Sequence, residues 1–182
     1  RHTRSFHVTG VQTCALPIFN SQRVIGAIGG VKSAGIDKFI AGYMQGAKAV
    51  DPKIKVLIAY SNSFGDPAKG KQLADAMYKR GADIVYAIAG GTGTGVIQAA
   101  KASNHYAIGV DTDQDGLAPG YVLTSMVKHV DILVKRLVTD YAAGKLPLGR
   151  TISVGIADGA VGLTNFKYTK KAIPAAFLKR IA

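Results

Sequence analysis

Cysteine is almost absent from this 182-residue sequence: Cys14 stands alone, which excludes an intramolecular disulfide and a cysteine-built metal site. Long apolar runs are missing as well, and none approaches the roughly 20 residues that a membrane-spanning helix needs. Acidic residues are scarce, 11 against 23 Lys and Arg, so the formal charge is +12 and the pI about 9.9. The basic residues are nevertheless scattered, with no basic run interleaved with aromatics, and a nucleic-acid partner is not expected. His105 and His129 sit beside no nucleophile motif such as Gly-x-Ser-x-Gly. His-Glu-x-x-His and other paired metal ligands are missing too. No enzymatic activity, cofactor or metal is therefore expected. There is no short-period repeat and no low-complexity tract. What is there is a hydrophobic content of 48%, ample for a packed core.

The start of the chain looks foreign to the rest. Back-translated in order and in frame, residues 1–4 and 8–18 resemble a sequencing adapter, with Ser5, Phe6 and His7 where a variable index would sit. A signal peptide fits less well, because the apolar part is short and is broken by Gln12 and Thr13. Residues 1–18 are therefore set apart from the fold, and residues 19–182 are taken as one partial domain. Without Arg1 and Arg4 the basic residues fall from 23 to 21 and the charge from +12 to +10, and Cys14 goes with them. On this reading the natural N-terminus is missing, and the absence of a targeting signal says nothing of location.

The rest alternates strand and helix. Residues 24–30 read as a buried strand ending in a glycine turn. Residues 32–50 read as a helix, with Ile36, Phe39, Ile40, Tyr43, Ala47 and Val50 on one face. Residues 54–60 form the next strand. Asp66-Pro67 then opens a helix that stops at Gly81, an N-cap and first-turn proline at one end and a glycine C-cap at the other. The central stretch, residues 83–113, reads as strand, glycine-rich turn, helix, strand and acidic turn. Residues 122–127 form a short strand. Residues 130–143 form a helix with Val130, Leu133, Val134, Leu137, Val138 and Tyr141 on one side, and residues 151–156 a last clear strand. This alternation predicts an α/β fold, a mostly parallel sheet with helices on both faces and right-handed crossovers. Loops at the carboxyl edge of such a sheet bind ligands.

Several residues at that edge are candidates for contact with a ligand. Ala89-Gly-Gly-Thr-Gly-Thr-Gly95 resembles the glycine-rich loop of the tubulin and FtsZ GTPases, but satisfies neither Gly-x-Gly-x-x-Gly nor a Walker loop. It reads as a turn touching a ligand through Gly90, Gly91, Thr92 and Gly93, as a purely structural turn, or as a GTPase loop. Asp111-Thr-Asp-Gln-Asp-Gly116 imitates the start of a calcium loop, but the twelfth position is Val122 rather than Glu. A carboxylate at a strand end suits vicinal hydroxyls, as in a ribose, and Asp111 and Asp113 are the candidates. A solvated turn is the plainer reading and fits Asp115 better than Asp111. Phe64, outside any periodic face, either stacks on a flat base or anchors its loop in the core. Lys128 either donates to a ligand or is a solvated cation.

Seven segments in order resemble the basic membrane protein (Bmp/PnrA-like) family: residues 24–30, 63–70, 81–83, 89–95, 106–114, 122–128 and 159–164. Its members are substrate-binding lipoproteins of bacterial ABC importers for purine nucleosides. The resemblance covers residues 20–182. It implies a type I periplasmic-binding-protein fold of two lobes, of which this truncated chain would represent mainly the second plus crossover elements. It also implies ABC permease subunits as partners and an extracytoplasmic location, with a lipid anchor lying outside this sequence. By that likeness Phe64 stacks on the base and Asp111 holds the ribose hydroxyls. The Gly90–Gly93 turn lines the cleft, and Lys128 reaches the ligand from the hinge side. The helix over residues 130–143 would pack on the other lobe and leave its apolar stripe uncovered here. Two other classes stay open: a GTP-binding and hydrolysing protein, and a sensory or transcription-linked protein on the same fold.

Overall fold

The computed structural model describes residues 22–146, 149, 151, 152 and 154–173. Among them a six-stranded sheet runs in the order β2-β1-β3-β4-β5-β6. The strands are β1 Val24–Gly29, β2 Lys55–Tyr60, β3 Ile84–Ile88, β4 Tyr106–Asp111, β5 Val122–Lys128 and β6 Val161–Leu163. The first five are parallel, so all of their carboxyl ends reach one edge; β6 is antiparallel to β5. Four α-helices are described: α1 Ala34–Val50, α2 Pro67–Lys79, α3 Gly93–Ser103 and α4 Val130–Ala142.

Side-chain alternation sends each strand's residues to two cores. On one face Val24, Ile28, Val85 and Ala87 meet Ala74 and Met77 of α2 and Val96 and Ile97 of α3. On the other, Ile25, Ala27, Tyr86 and Ile108 meet Ile40, Tyr43 and Ala47 of α1. Both faces of the central strands are covered, which is why β1 and β3 are buried along their whole length. Between β4 and β5 the register slips, Ala107 facing Val122 but Gly109 facing Ser125. An extra residue on β5 reverses its alternation, so Val122 joins one core and Met126 the other.

Local chemistry sets the helix ends. Ser33 caps α1 with its hydroxyl on the Ile36 N–H, and Asp66 caps α2 on the Lys69 N–H, with Pro67 next to it. After α2 the chain turns at Gly81, whose φ of +88° is open to glycine and strained for other residues. Helices α2 and α3 touch backbone to backbone. A Cβ added to Gly95 would collide with the Pro67 carbonyl oxygen, so only glycine fits that crossing.

One expectation fails. Residues 151, 152, 154 and 155 belong to no strand and Ile156 opens a 3₁₀ turn; Ser153 lies outside the described residues. The place beside β5 is taken by Val161–Leu163, paired with Met126–Lys128. The Thr164 hydroxyl fixes that pairing, accepting from the Ser125 N–H at 2.9 Å and lying 2.9 Å from the Thr124 hydroxyl. The period-two pattern of residues 151–156 is real in sequence, but a strand also needs an unoccupied edge.

Candidate functional site

Phe64 sits at the carboxyl edge on a loop that another loop holds in place. The Thr92 hydroxyl donates to the Ser63 carbonyl at 3.0 Å and accepts from the Asp66 N–H at 2.8 Å. The Thr92 N–H adds a bond to the Phe64 carbonyl at 3.1 Å. The Ser61 hydroxyl closes the turn on the Ser63 carbonyl at 2.7 Å. So placed, the Phe64 ring lies against Gly30 just past β1, where any Cβ would collide with it. Gly91 lies near the Phe64 carbonyl less tightly: a Cβ there would lie 3.1 Å from the oxygen. Phe64 is still 48% exposed, so it is not a buried anchor of the core.

The glycine turn divides into an exposed and a buried half. Gly90 and Gly91 keep exposed surface beside Phe64, and Gly90 adopts φ +54°. Thr92 and Gly93 are buried, and the Thr92 hydroxyl is committed to the Phe64 loop, so these two lie beneath the surface of this edge. Two of the turn's N–H groups are also taken. Thr92 bonds Ala89 and Phe64 carbonyls, and Gly93 bonds Gly90 and Gly91 carbonyls. A phosphate cradle needs such groups free, which counts against a GTPase loop.

Asp111 closes β4 with φ +69°, a left-handed conformation that Asp tolerates better than most residues. Its Oδ1 is buried and lies 2.6 Å from the Lys128 Nζ, an ion pair without the alignment of a hydrogen bond. The side chain as a whole is 47% exposed, so the exposure falls on its other atoms. The Lys128 Nζ also lies 4.8 Å from the centre of the Phe39 ring. Beneath, burial first and the Asp111 charge second push the Tyr86 hydroxyl pKa up, which keeps it a neutral phenol.

The acidic turn after Asp111 is built from its own side chains. The Gln114 Oε1 accepts from the Val110 N–H at 2.9 Å, and the Asp113 Oδ1 accepts from the Asp115 N–H at 3.0 Å. Asp113 therefore shapes the turn through one oxygen, and its side chain is exposed. Asp115 is not solvated: it is buried and accepts from the Ser125 hydroxyl at 2.7 Å. The structure thus brings Phe64, Gly90, Gly91, Asp111 and Lys128 to one edge, with Thr92 and Gly93 beneath its surface and Asp113 in the turn after Asp111. Strands β1, β3 and β4 are neighbours, so the Phe64 loop and the Asp111 strand end lie on the same edge of the sheet. Phe39 is the residue that sequence reasoning misses, because its place on the apolar face of α1 accounts for it fully there. A cavity of about 430 Å³ lined by Tyr78, Arg80, Asp83 and His105 lies at the opposite, amino edge. It is strongly polar and distant from these motifs, unlike a typical ligand pocket. No group of three or more metal-ligating side chains occurs among the described residues.

Comparison with known proteins agrees with the geometry. A model of the family "ABC transporter substrate-binding protein PnrA-like" matches residues 14–177. Basic membrane protein D of Borreliella burgdorferi is 44% identical over 142 residues, 76% of this chain and 42% of that protein. The ABC transporter nucleoside-binding protein BmpA of Lactococcus lactis is 43% identical over 156 residues, 76% of this chain and 44% of that protein. The chain thus spans less than half the length of these relatives. Among solved structures, a transcriptional activator of the comK gene from Bacillus halodurans superposes with TM-score 0.80 at 26% identity, covering 94% of this chain and 57% of that one. An ABC transporter solute-binding protein from Conexibacter woesei gives TM-score 0.73 at 21% identity, covering 94% and 56%, and shows the shared fold. Motifs, fold and relatives converge: the chain belongs to the PnrA-like family of ABC transporter substrate-binding proteins.

Proposed function

We propose that this chain forms one lobe of a binding protein that holds a purine nucleoside and delivers it to an ABC permease. The observation that carries the reading is the pairing, at one sheet edge, of the exposed Phe64 ring with the half-exposed Asp111 carboxylate. A flat apolar face suits a base whatever its edge pattern. An acceptor-only carboxylate suits the vicinal hydroxyls of a ribose, which a free base lacks. The Lactococcus relative is named as nucleoside-binding, which supports the same ligand class. A second lobe would close over this edge, bury the ligand and present the closed form to the permease. The protein would work outside the cytoplasm on a lipid anchor; no described helix is long and apolar enough to cross a membrane.

The test is titration of isotope-labelled protein with adenosine, guanosine, adenine and GTP, followed by NMR. The nucleosides should shift the signals of Phe64, Gly90, Gly91 and Asp111 and bind better than adenine or GTP. Asp111→Ala should weaken nucleoside binding by about tenfold or more, equivalent to roughly 1.4 kcal/mol. Tightest binding by GTP, or unchanged adenosine binding by Asp111→Ala, overturns the reading. Likeness to the comK-gene activator favours a second reading, a transcription-linked protein using the same ligand site. Specific binding to operator DNA in a gel-shift assay would select it.

A further inference from the structure

Three observations converge on a residue with no assigned role. The Lys128 Nζ lies 2.6 Å from Asp111 Oδ1, and 4.8 Å from the centre of the Phe39 ring. Asp111 Oδ1 is buried while the side chain as a whole is 47% exposed. Phe39 itself is half-buried, packed on the core beneath α1 and presenting its ring to the edge.

A lysine ammonium on a flexible stem is poorly fixed by an exposed carboxylate alone, because rotamer freedom and screening by water oppose a single geometry. A ring face adds a second, differently directed attraction on the same charge. Phe39 comes from α1, whereas Asp111 and Lys128 end the neighbouring strands β4 and β5. Three elements thus define where the ammonium rests. Its rest position decides which carboxylate oxygen is occupied: a cation held on the α1 side covers Oδ1, and a mobile one would compete with a ligand for the other oxygen. The left-handed backbone at Asp111 fixes the direction of the carboxylate from its own side. One turn further along α1, Tyr43 lies against Tyr86 with ring centres 5.3 Å apart, so the seat stands on a packed aromatic base.

We propose that Phe39 is a positioning residue of the ligand site: its ring seats the Lys128 ammonium against one oxygen of Asp111 and leaves the rest of the carboxylate open to a sugar's hydroxyls. The last clause rests on the nucleoside reading; the seating itself does not.

The experiment has two arms. In the ligand-free arm, the side-chain ε-methylene signal of Lys128 is followed by NMR. The ring current of Phe39 should shift it upfield in the wild type and in Phe39→Tyr, and the shift should vanish in Phe39→Leu. A Lys128 signal at its free-lysine position in the wild type overturns the seating, and with it the proposal. In the ligand arm, Phe39→Leu should weaken adenosine binding about fivefold and Phe39→Tyr by less than about twofold. In a Lys128→Met background, Phe39→Leu should have no further effect, because its action runs through the ammonium. Equal losses with and without Lys128 overturn the positioning role. Wild-type chain that shows the upfield shift but, joined to its second lobe, binds no adenosine overturns the nucleoside reading and the final clause, and upholds the seat. Urea midpoints confirm that each variant is folded, and Phe39→Tyr keeps the test decisive if Phe39→Leu is not.

Discussion

Helices α3 and α4 are of similar length and both amphipathic, yet they end up in opposite surroundings. Six residues of α3 are buried: Gly93, Gly95, Val96, Ile97, Ala99 and Ala100. In α4 no residue is buried. Val130 is 58% exposed, Val134 51%, Val138 63% and Tyr141 70%, a continuous stripe along one side. Helix α3 joins two parallel neighbours, β3 and β4, so the crossover itself lays it on the sheet. Helix α4 follows β5 and leaves the sheet. Polar contacts tether it to the chain beyond: Arg136 donates to Asp158 at 2.8 Å, and the His129 N–H to the Ala160 carbonyl at 2.8 Å. An apolar helical stripe in a sequence therefore encodes a demand for a partner; topology decides whether a given stretch of chain supplies it.

The largest effect expected from this contrast is on stability. Ile97→Ala should destabilise the fold by about 3 kcal/mol, the range of buried large-to-small changes, since Ile97 is 2% exposed. Val138→Ala on α4 should change it by no more than about 0.5 kcal/mol. Urea denaturation of both variants measures the difference directly, and equal losses would mean that α4 is packed after all.

Next in size is the hydroxyl that ties the start of α3 to the Phe64 loop. Thr92→Val keeps the shape but removes the bonds to Ser63 and Asp66, and it leaves the Asp66 N–H without its acceptor. A loss of about 1–3 kcal/mol should follow. Thr92→Ser should restore most of it. Since the same bonds hold Phe64, Thr92→Val should also weaken adenosine binding, a result to be read in the same NMR titration.

On α4 the expected change is in association. Replacing Val130, Val134, Val138 and Tyr141 together by polar residues should leave the melting midpoint within a few degrees. It should lower dye binding and self-association in analytical ultracentrifugation, because an exposed apolar patch is what drives both. Undiminished association would place the sticky surface elsewhere.

Much of this was legible before any coordinates. Continuous apolar runs marked the doubly covered strands, and Asp66-Pro67 with Gly81 bracketed α2 to within a residue. The Phe64, Asp111 and Lys128 positions followed from being polar or aromatic at strand ends, where packing gives no reason for them. The illegible parts depend on pairings between distant segments. Residues 151–156 alternate as a strand does, but three residues at 161–163 win the edge through the Thr164 hydroxyl. Thr92 and Asp113 have the chemistry of ligand contacts and use it on neighbouring backbone. Phe39 reads as one apolar residue among six on its helix until β5 brings a lysine over its ring.

A last comparison sets an acid in the covered part of the molecule against one in the exposed part. Asp83 leads into β3, and its Oδ2 is buried with no hydrogen-bond partner among the described residues. Burial pushes its pKa up from 3.8 to about 6, with the nearby His105 pulling the other way. The folded state therefore holds a proton that the unfolded chain releases between about pH 4 and pH 6. Stability should fall as pH rises through that window, and the penalty should persist above it. Asp83→Asn is neutral throughout and should be more stable than the wild type above pH 6, with the advantage shrinking towards pH 4. Asp158, near α4, has its pKa lowered, by the Gly155 N–H first and Arg136 next. Its sign is opposite: the contribution is present above the ordinary carboxyl value and fades as pH falls through the lowered one. Asp158→Asn should thus lose slightly near neutral pH and nothing in strong acid, and full exposure keeps that loss near the limit of detection. Urea midpoints at pH 4, 5, 6, 7 and 8 resolve the two slopes. A wild-type minus Asp83→Asn difference that stays flat across the window would show that the amino edge is wetter than the structure has it, and that burial does not separate these two acids.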